Sequence, residues 1–213
     1  VHLRRGIGGD GASPVSTEEF DSRRAKMGLS VESMAIEMPA VHGHPNRAGF
    51  RGVLTIVDVA SDKAPSGARG HRVLLTRRAA EAAIPSLMGM GLDYSPALDR
   101  HDARRKIGVI TRAEIVGRVI EVGGFLYARD FPEIVAEIGA PGRTGAAVFA
   151  GLKSANRSAR ATPAGLGMSY EITDALVEDI TASVWVLNRV TFTGAAVLRR
   201  DKAAYRSTWI ELG

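Results

Sequence analysis

The sequence predicts a mainly β fold of the α+β kind: an antiparallel bent sheet or barrel with a few flanking helices, preceded by an extended N-terminal arm. Three observations lead there. Many short segments rich in β-branched residues follow one another at hairpin-like spacing. Regular βαβ alternation is absent, which counts against a doubly wound sheet. Apolar residues make up 45% of the chain but aromatics only 6%, so Val, Ile, Leu and Ala must fill the interior.

Residues 1–48 read as the arm. Gly6, Gly8, Gly9, Gly11, Pro14, Pro39 and Pro45 interrupt any periodic apolar spacing. One amphipathic stretch near Thr17 to Met27 suits a helix with Thr17 as N-cap. The folded domain is expected over residues 49–200. Its first strand is Gly52 to Val59, followed by a polar loop from Ser61 to Gly70 and a second strand, His71 to Leu75. Thr76 then caps a helix from Arg77 to Met88, which Pro85 kinks or ends early. Lys106 to Ile110 and Glu114 to Glu121 read as separate strands. Gly123-Gly124 reads as a tight turn, and Phe125 to Ala128 as the strand beyond it. Phe131 to Ile138 is a short helix with Pro132 at its first position and Gly139 at its end. Residues 139–164 are expected to form a surface loop, with a helical turn over 146–152. Leu166 to Ile172, Ser183 to Leu187 and Gly194 to Leu198 read as three further strands. The tail, 201–213, is polar apart from Trp209 and Ile210.

Several function classes are set aside by composition. There is no Cys, so disulfides and thiolate metal sites are excluded. No apolar run reaches the roughly 20 residues that span a bilayer, so no membrane partner is expected. The net charge of +5 suits an acidic partner or simply a basic surface. Basic residues do not interleave with aromatics, so no specific nucleic-acid platform is read. His42-Gly43-His44 is a histidine pair beside Pro45, and Asp99, His101 and Asp102 cluster on a polar loop. Neither has the three fixed ligands a metal site needs, so no metal and no cofactor are expected. Gly6-Ile7-Gly8-Gly9-Asp10-Gly11 has neither a preceding strand nor a helix directly after it, and fails as a dinucleotide fingerprint.

Serine chemistry remains. A serine attacks a carbonyl when a neighbouring base takes its proton, and a third group holds that base in the right tautomer. Ser169 lies on the strand Gly165-Leu166-Gly167-Met168-Ser169-Tyr170-Glu171-Ile172, where small residues permit close approach of a substrate backbone. His101 lies in Leu98-Asp99-Arg100-His101-Asp102, just before the strand at Ile107-Gly108.

This order is a His-Asp, a basic and Ile-Gly stretch, a strand pair, a variable segment and a Gly-Met-Ser strand. It resembles the prohead serine proteases of tailed phages, relatives of the herpesvirus assemblins. The resemblance runs from Phe50 to Leu198. It implies that His101 is the general base and Ser169 the nucleophile of an acyl-enzyme. It also implies a third member on a later strand. The matching position here is Thr181, so Asp179, two residues earlier, is the expected substitute. Asp102 and Asp99 are the local alternatives. Arg189 takes a place similar to that of an oxyanion-stabilising Arg in the herpesvirus relatives. The implied function is a serine endopeptidase that processes scaffold and major capsid proteins in the procapsid, as a homo-oligomer. The alternative is a protease fold kept without catalysis, as a cement, decoration or internal shell protein of the virion.

Overall fold

Strand order and partners explain how distant segments meet on one sheet face. The computed structural model describes residues 31–39, 43–140 and 165–213, and the following concerns those residues. The expected helix near Thr17 to Met27 and the expected helical turn over 146–152 lie outside them. The elements are β1 (Ser33–Ala35), β2 (Ala48–Ile56), β3 (Arg72–Leu75), α1 (Arg77–Ala83), β4 (Gly91–Asp93), β5 (Lys106–Val116), β6 (Val119–Leu126), α2 (Pro132–Gly139), β7 (Leu166–Val177), β8 (Val184–Arg199) and β9 (Trp209–Leu212). All nine strands belong to one sheet, ordered β3-β8-β4-β5-β6-β2-β9, with β1 on β5 and β7 on β8.

The fold is mainly β, as the strand-rich sequence predicts, and the sheet is bent. It is not purely antiparallel: β3 and β4 both pair with β8 in parallel, one after the other along its length, while β7 runs antiparallel beside it. The sheet curls until β7 packs against β2 and β9. Side chains pointing inward form one core, which includes Leu54, Leu92, Ile107, Ile110, Leu126, Met168, Phe192 and Val197.

Local chemistry accounts for the helices. Thr76 Oγ1 accepts from the Ala79 amide at 3.2 Å and donates to the Leu187 carbonyl at 3.2 Å, so one hydroxyl caps α1 and ties it to β8. Ala79, Ala80 and Ala83 form its buried face. Pro85 ends the regular helix, and Ile84–Leu87 continues as a 3-10 turn. Thr76→Ala is expected to cost about 1 kcal/mol, read as a lower midpoint in urea unfolding. Pro132 opens α2 at its first turn, where its missing N–H costs nothing.

Several boundaries differ from the sequence reading: β4 is not among the expected strands, and the segment expected as one strand, residues 114–121, is divided between β5 and β6. The turn between β5 and β6 is Gly117-Arg118, with Gly117 at φ 60°, and not Gly123-Gly124. A carbonyl contact from Arg77 to Gly117 helps to hold it. Gly123 and Gly124 lie inside β6, where a Cβ on Gly124 would sit 2.0 Å from the Val109 carbonyl oxygen. The segments expected at Ser183–Leu187 and Gly194–Leu198 are one strand, β8, because Val190 and Phe192 between them are also buried. Within the segment read as an arm, Ser33–Ala35 adds to the edge of β5. Within the segment read as a polar tail, Tyr205, Thr208, Trp209 and Ile210 are buried, and β9 pairs with β2.

Candidate functional site

The β7–β8–β4 register builds the site. Ser169 on β7 is opposite Ala196 on β8, and Ala196 is opposite Asp93 on β4. Side chains of directly opposed residues share a sheet face. Met168, Leu92, Ala195 and Val197 belong to the core. Their alternating neighbours Ser169, Asp93 and Ala196 therefore point to the other face. Ser169 and Asp93 are two strand spacings apart, roughly 10 Å between Cα atoms. Only the Ala196 methyl stands between them, and the next position of that row on β8 is Gly194. The Glu171 side chain lies over Gly194, whose added Cβ would meet Glu171 Oε2 at 2.8 Å.

His101 comes to this face from the loop between β4 and β5. Its Nδ1 is 3.5 Å from Asp93 Oδ1 and 3.9 Å from Glu171 Oε1. One ring nitrogen, Nδ1, thus faces two carboxylates, one on β4 and one on β7. Asp93 is fully buried, whereas the Glu171 side chain is 52% exposed. The loop is held by its own bonds. Asp93 Oδ1 accepts the Asp102 amide at 3.2 Å, Ser95 Oγ donates to Asp99 at 2.8 Å, and the Arg199 amide donates to the Leu98 carbonyl at 2.7 Å. Leu98 adopts φ 52°, the left-handed bend that turns the chain toward His101.

Burial alone would raise the pKa of the Asp93 carboxyl. The nearness of His101 and Lys106 outweighs burial and holds it below the usual carboxylate value. Lys106 Nζ lies 3.1 Å from Asp93 Oδ2, so the second oxygen is fixed as well.

Both ring nitrogens of His101 are buried and make no hydrogen bond of normal length. A buried polar atom left without a partner costs about 1–3 kcal/mol. Nδ1 has the Asp93 carboxylate beside it; Nε2 has no such group. The half-buried Ser169 hydroxyl shares the sheet face but is not bonded to the ring.

The sequence-predicted pair, His101 and Ser169, thus shares one face of the sheet. The predicted third member does not join it. Asp179 lies in the turn at the far end of the β7–β8 hairpin, where its carboxylate accepts the Thr181 amide at 2.8 Å and the Thr181 hydroxyl at 2.7 Å. Thr181 is consumed by the same turn. The expectation of Asp179 rests on its place two residues before Thr181 on a later strand, but that strand, β8, begins only at Val184, and both residues fall in the turn before it. Asp102 faces Arg104 and Arg105 at 3.5 Å each, and Asp99 is bonded to Ser95. Arg189 is exposed opposite Leu176, well down β8 from Ala196.

A different cation lies near this part of the sheet. The chain at Arg200 and Thr208 folds over Gly167, two positions before Ser169: an added Cβ there would meet Thr208 Oγ1 at 2.8 Å and Arg200 Cα at 3.4 Å. Arg200 is 2% exposed, donates from Nη2 to the Leu166 carbonyl at 3.4 Å, and leaves Nε buried and unbonded. Burial lowers its pKa from the ordinary guanidinium value.

Sequence reasoning missed Asp93 and Glu171. Glu171 carried a readable signal, since it is two residues from Ser169 on one strand and therefore on the same face. Asp93 carried a weaker one, a lone carboxylate between Leu92 and Tyr94. Among the described residues no group of three or more His, Asp or Glu could hold a metal. No family model, curated protein or solved structure matches the chain.

Proposed function

We propose that the protein is a serine endopeptidase of the prohead-protease kind, related to the herpesvirus assemblins, which processes scaffold and major capsid proteins in a phage procapsid. One observation carries the reading: a buried imidazole held against a fully buried aspartate, with its other nitrogen unbonded, on the same sheet face as Ser169. In this scheme Asp93, rather than Asp179, keeps the proton on Nδ1 and leaves Nε2 as the base. Nε2 takes the Ser169 proton as Oγ attacks the peptide carbonyl. The imidazolium, stabilised by Asp93, returns that proton to the leaving amine, and water then hydrolyses the acyl-enzyme. Arg200 takes the role that the resemblance assigns to Arg189, a positive charge near the developing oxyanion.

A second reading has one observation in its favour. The Ser169 hydroxyl makes no hydrogen bond to His101, as expected of a protease fold retained as a cement, decoration or internal shell protein. Labelling of the full chain with a fluorophosphonate, followed by mass spectrometry, separates the two. The enzyme reading expects modification at Ser169. It also expects Ser169→Ala or His101→Ala to lower cleavage of co-expressed scaffold and capsid chains by about 10⁶-fold. Processing that continues unchanged in Ser169→Ala sinks it.

A further inference from the structure

On the loop that carries His101 the surface opens into a depression lined by Asp102, Arg104, Arg105 and Phe131. Its charge is unbalanced. The one carboxylate in the lining, Asp102, faces two guanidinium groups, each at 3.5 Å, a distance longer than a tight charge-assisted bond. The Arg104 side chain is 93% exposed and that of Arg105 49%. Arg100, on the same loop, is also exposed. The neighbouring Glu133 is engaged by the Tyr94 hydroxyl at 2.7 Å, with Arg105 close enough to lower the pKa of that carboxyl further. Lys106 is turned inward to Asp93. Arg105 also lies by the Tyr94 hydroxyl, so Arg104, at 93% exposure, is the freer of the two donors for an incoming anion. Phe131, set edge-on to Tyr94 at a centroid distance of 6.0 Å, offers an apolar wall for the methylenes of a carboxylate side chain.

We infer that this depression is the subsite for an acidic side chain, Asp or Glu, of the peptide whose carbonyl meets Ser169. The inference rests on the function proposed above for its meaning as substrate selection. Its physical content is a carboxylate preference on the loop that carries His101. Asp102, the residue after His101 in the chain, forms one wall, and its amide is bonded to Asp93 Oδ1 at 3.2 Å, which ties the depression to that loop. A guanidinium pair favours a carboxylate by geometry as well as charge, and the exposed setting makes the preference sensitive to salt.

The test uses the full chain with Ser169→Ala and two fluorescein-labelled Ala-Ser decapeptides, one with a central Glu-Glu and one with a central Lys-Lys. Fluorescence anisotropy is expected to give about tenfold tighter binding of the Glu peptide at low ionic strength, shrinking at 0.5 M salt. In R104E/R105E the preference is expected to reverse toward the Lys peptide, a result that misfolding does not produce. Equal binding of the two peptides, or a Glu preference that survives the double reversal, overturns the inference. Fluorophosphonate labelling of the wild-type chain is read separately. Labelling at Ser169 without a Glu preference defeats the subsite alone, and a Glu preference without labelling defeats the protease reading alone.

Discussion

Asp93→Asn is expected to lower Ser169 reactivity toward a fluorophosphonate by about 10⁴-fold while leaving the chain folded at neutral pH. An amide in place of this carboxylate no longer prefers the imidazole tautomer with its proton on Nδ1, and cannot stabilise the imidazolium. Lys106 Nζ, 3.1 Å from the carboxylate in the wild type, loses its ionic partner as well. The same substitution carries a stability signature. The pKa of Asp93 is lower in the folded protein than in the unfolded chain, so the unfolded state binds the proton more readily. The stability that Asp93 contributes is therefore complete well above the ordinary carboxylate pKa of about 3.9. It is lost as the pH falls through that value toward the depressed folded one. Urea midpoints measured from pH 6 down to acid are expected to fall less steeply in Asp93→Asn than in wild type. Parallel pH profiles for the two proteins would show that Asp93 gains nothing from its neighbours.

Gly124→Ala is expected to be the most damaging single methyl in the described domain, costing about 4 kcal/mol or more and lowering Tm by about 10 °C. The added Cβ would lie 2.0 Å from the Val109 carbonyl oxygen, 3.0 Å from its carbon and 3.1 Å from Ile110 Cα. All three atoms are backbone of the paired strand β5, so no rotamer relieves the clash and the β5–β6 ladder must open. Gly123→Ala, one residue away, provides the control. Its Cβ would meet only the Phe50 carbonyl oxygen, at 3.4 Å. Calorimetry is expected to place Gly123→Ala within about 1 kcal/mol of wild type. Similar losses at both positions would remove the close-approach argument.

These two sites also mark how far the sequence could be read. Helix signals were legible because they are local. Thr76 before an alanine-rich face, Pro85 within it, and Pro132 before Glu133-Ile134-Val135 define their helices with little help from tertiary contacts. Glycine meanings were not local. Gly-Gly at 123–124 has the composition of a hairpin turn, yet Gly124 is needed where β5 runs close to β6, and the weaker Gly117-Arg118 makes the turn. The short strands β1 and β4, with three residues each, carry too little alternation to be seen. β4 becomes visible only through its pairing with β5 on one side and β8 on the other. The parallel pairing with β8 is also what sets Asp93 in one row with Ser169, so this carboxylate was as hidden as the strand that carries it. His101 and Ser169 were accessible from residue type and order. The expectation of Asp179 assumes that the later strand reaches back past Thr181, whereas β8 starts at Val184, and Arg189 is placed by resemblance alone and lies opposite Leu176.

The β2–β9 pairing has a temporal consequence. Val53 of the first long strand is matched with Trp209, and Gly52 with Ile210, across almost the whole described domain. Contacts so far apart along the chain slow folding, and the ribosome delivers them at about 5–20 residues per second. Until residues 205–212 emerge, β2 has an open edge, and the Met168 amide lacks the Thr208 hydroxyl that binds it at 3.2 Å. The strand bearing Ser169 thus gains this anchor only after residues 205–212 have been made, so a nascent chain holds its alcohol loosely while its future neighbours are still being made.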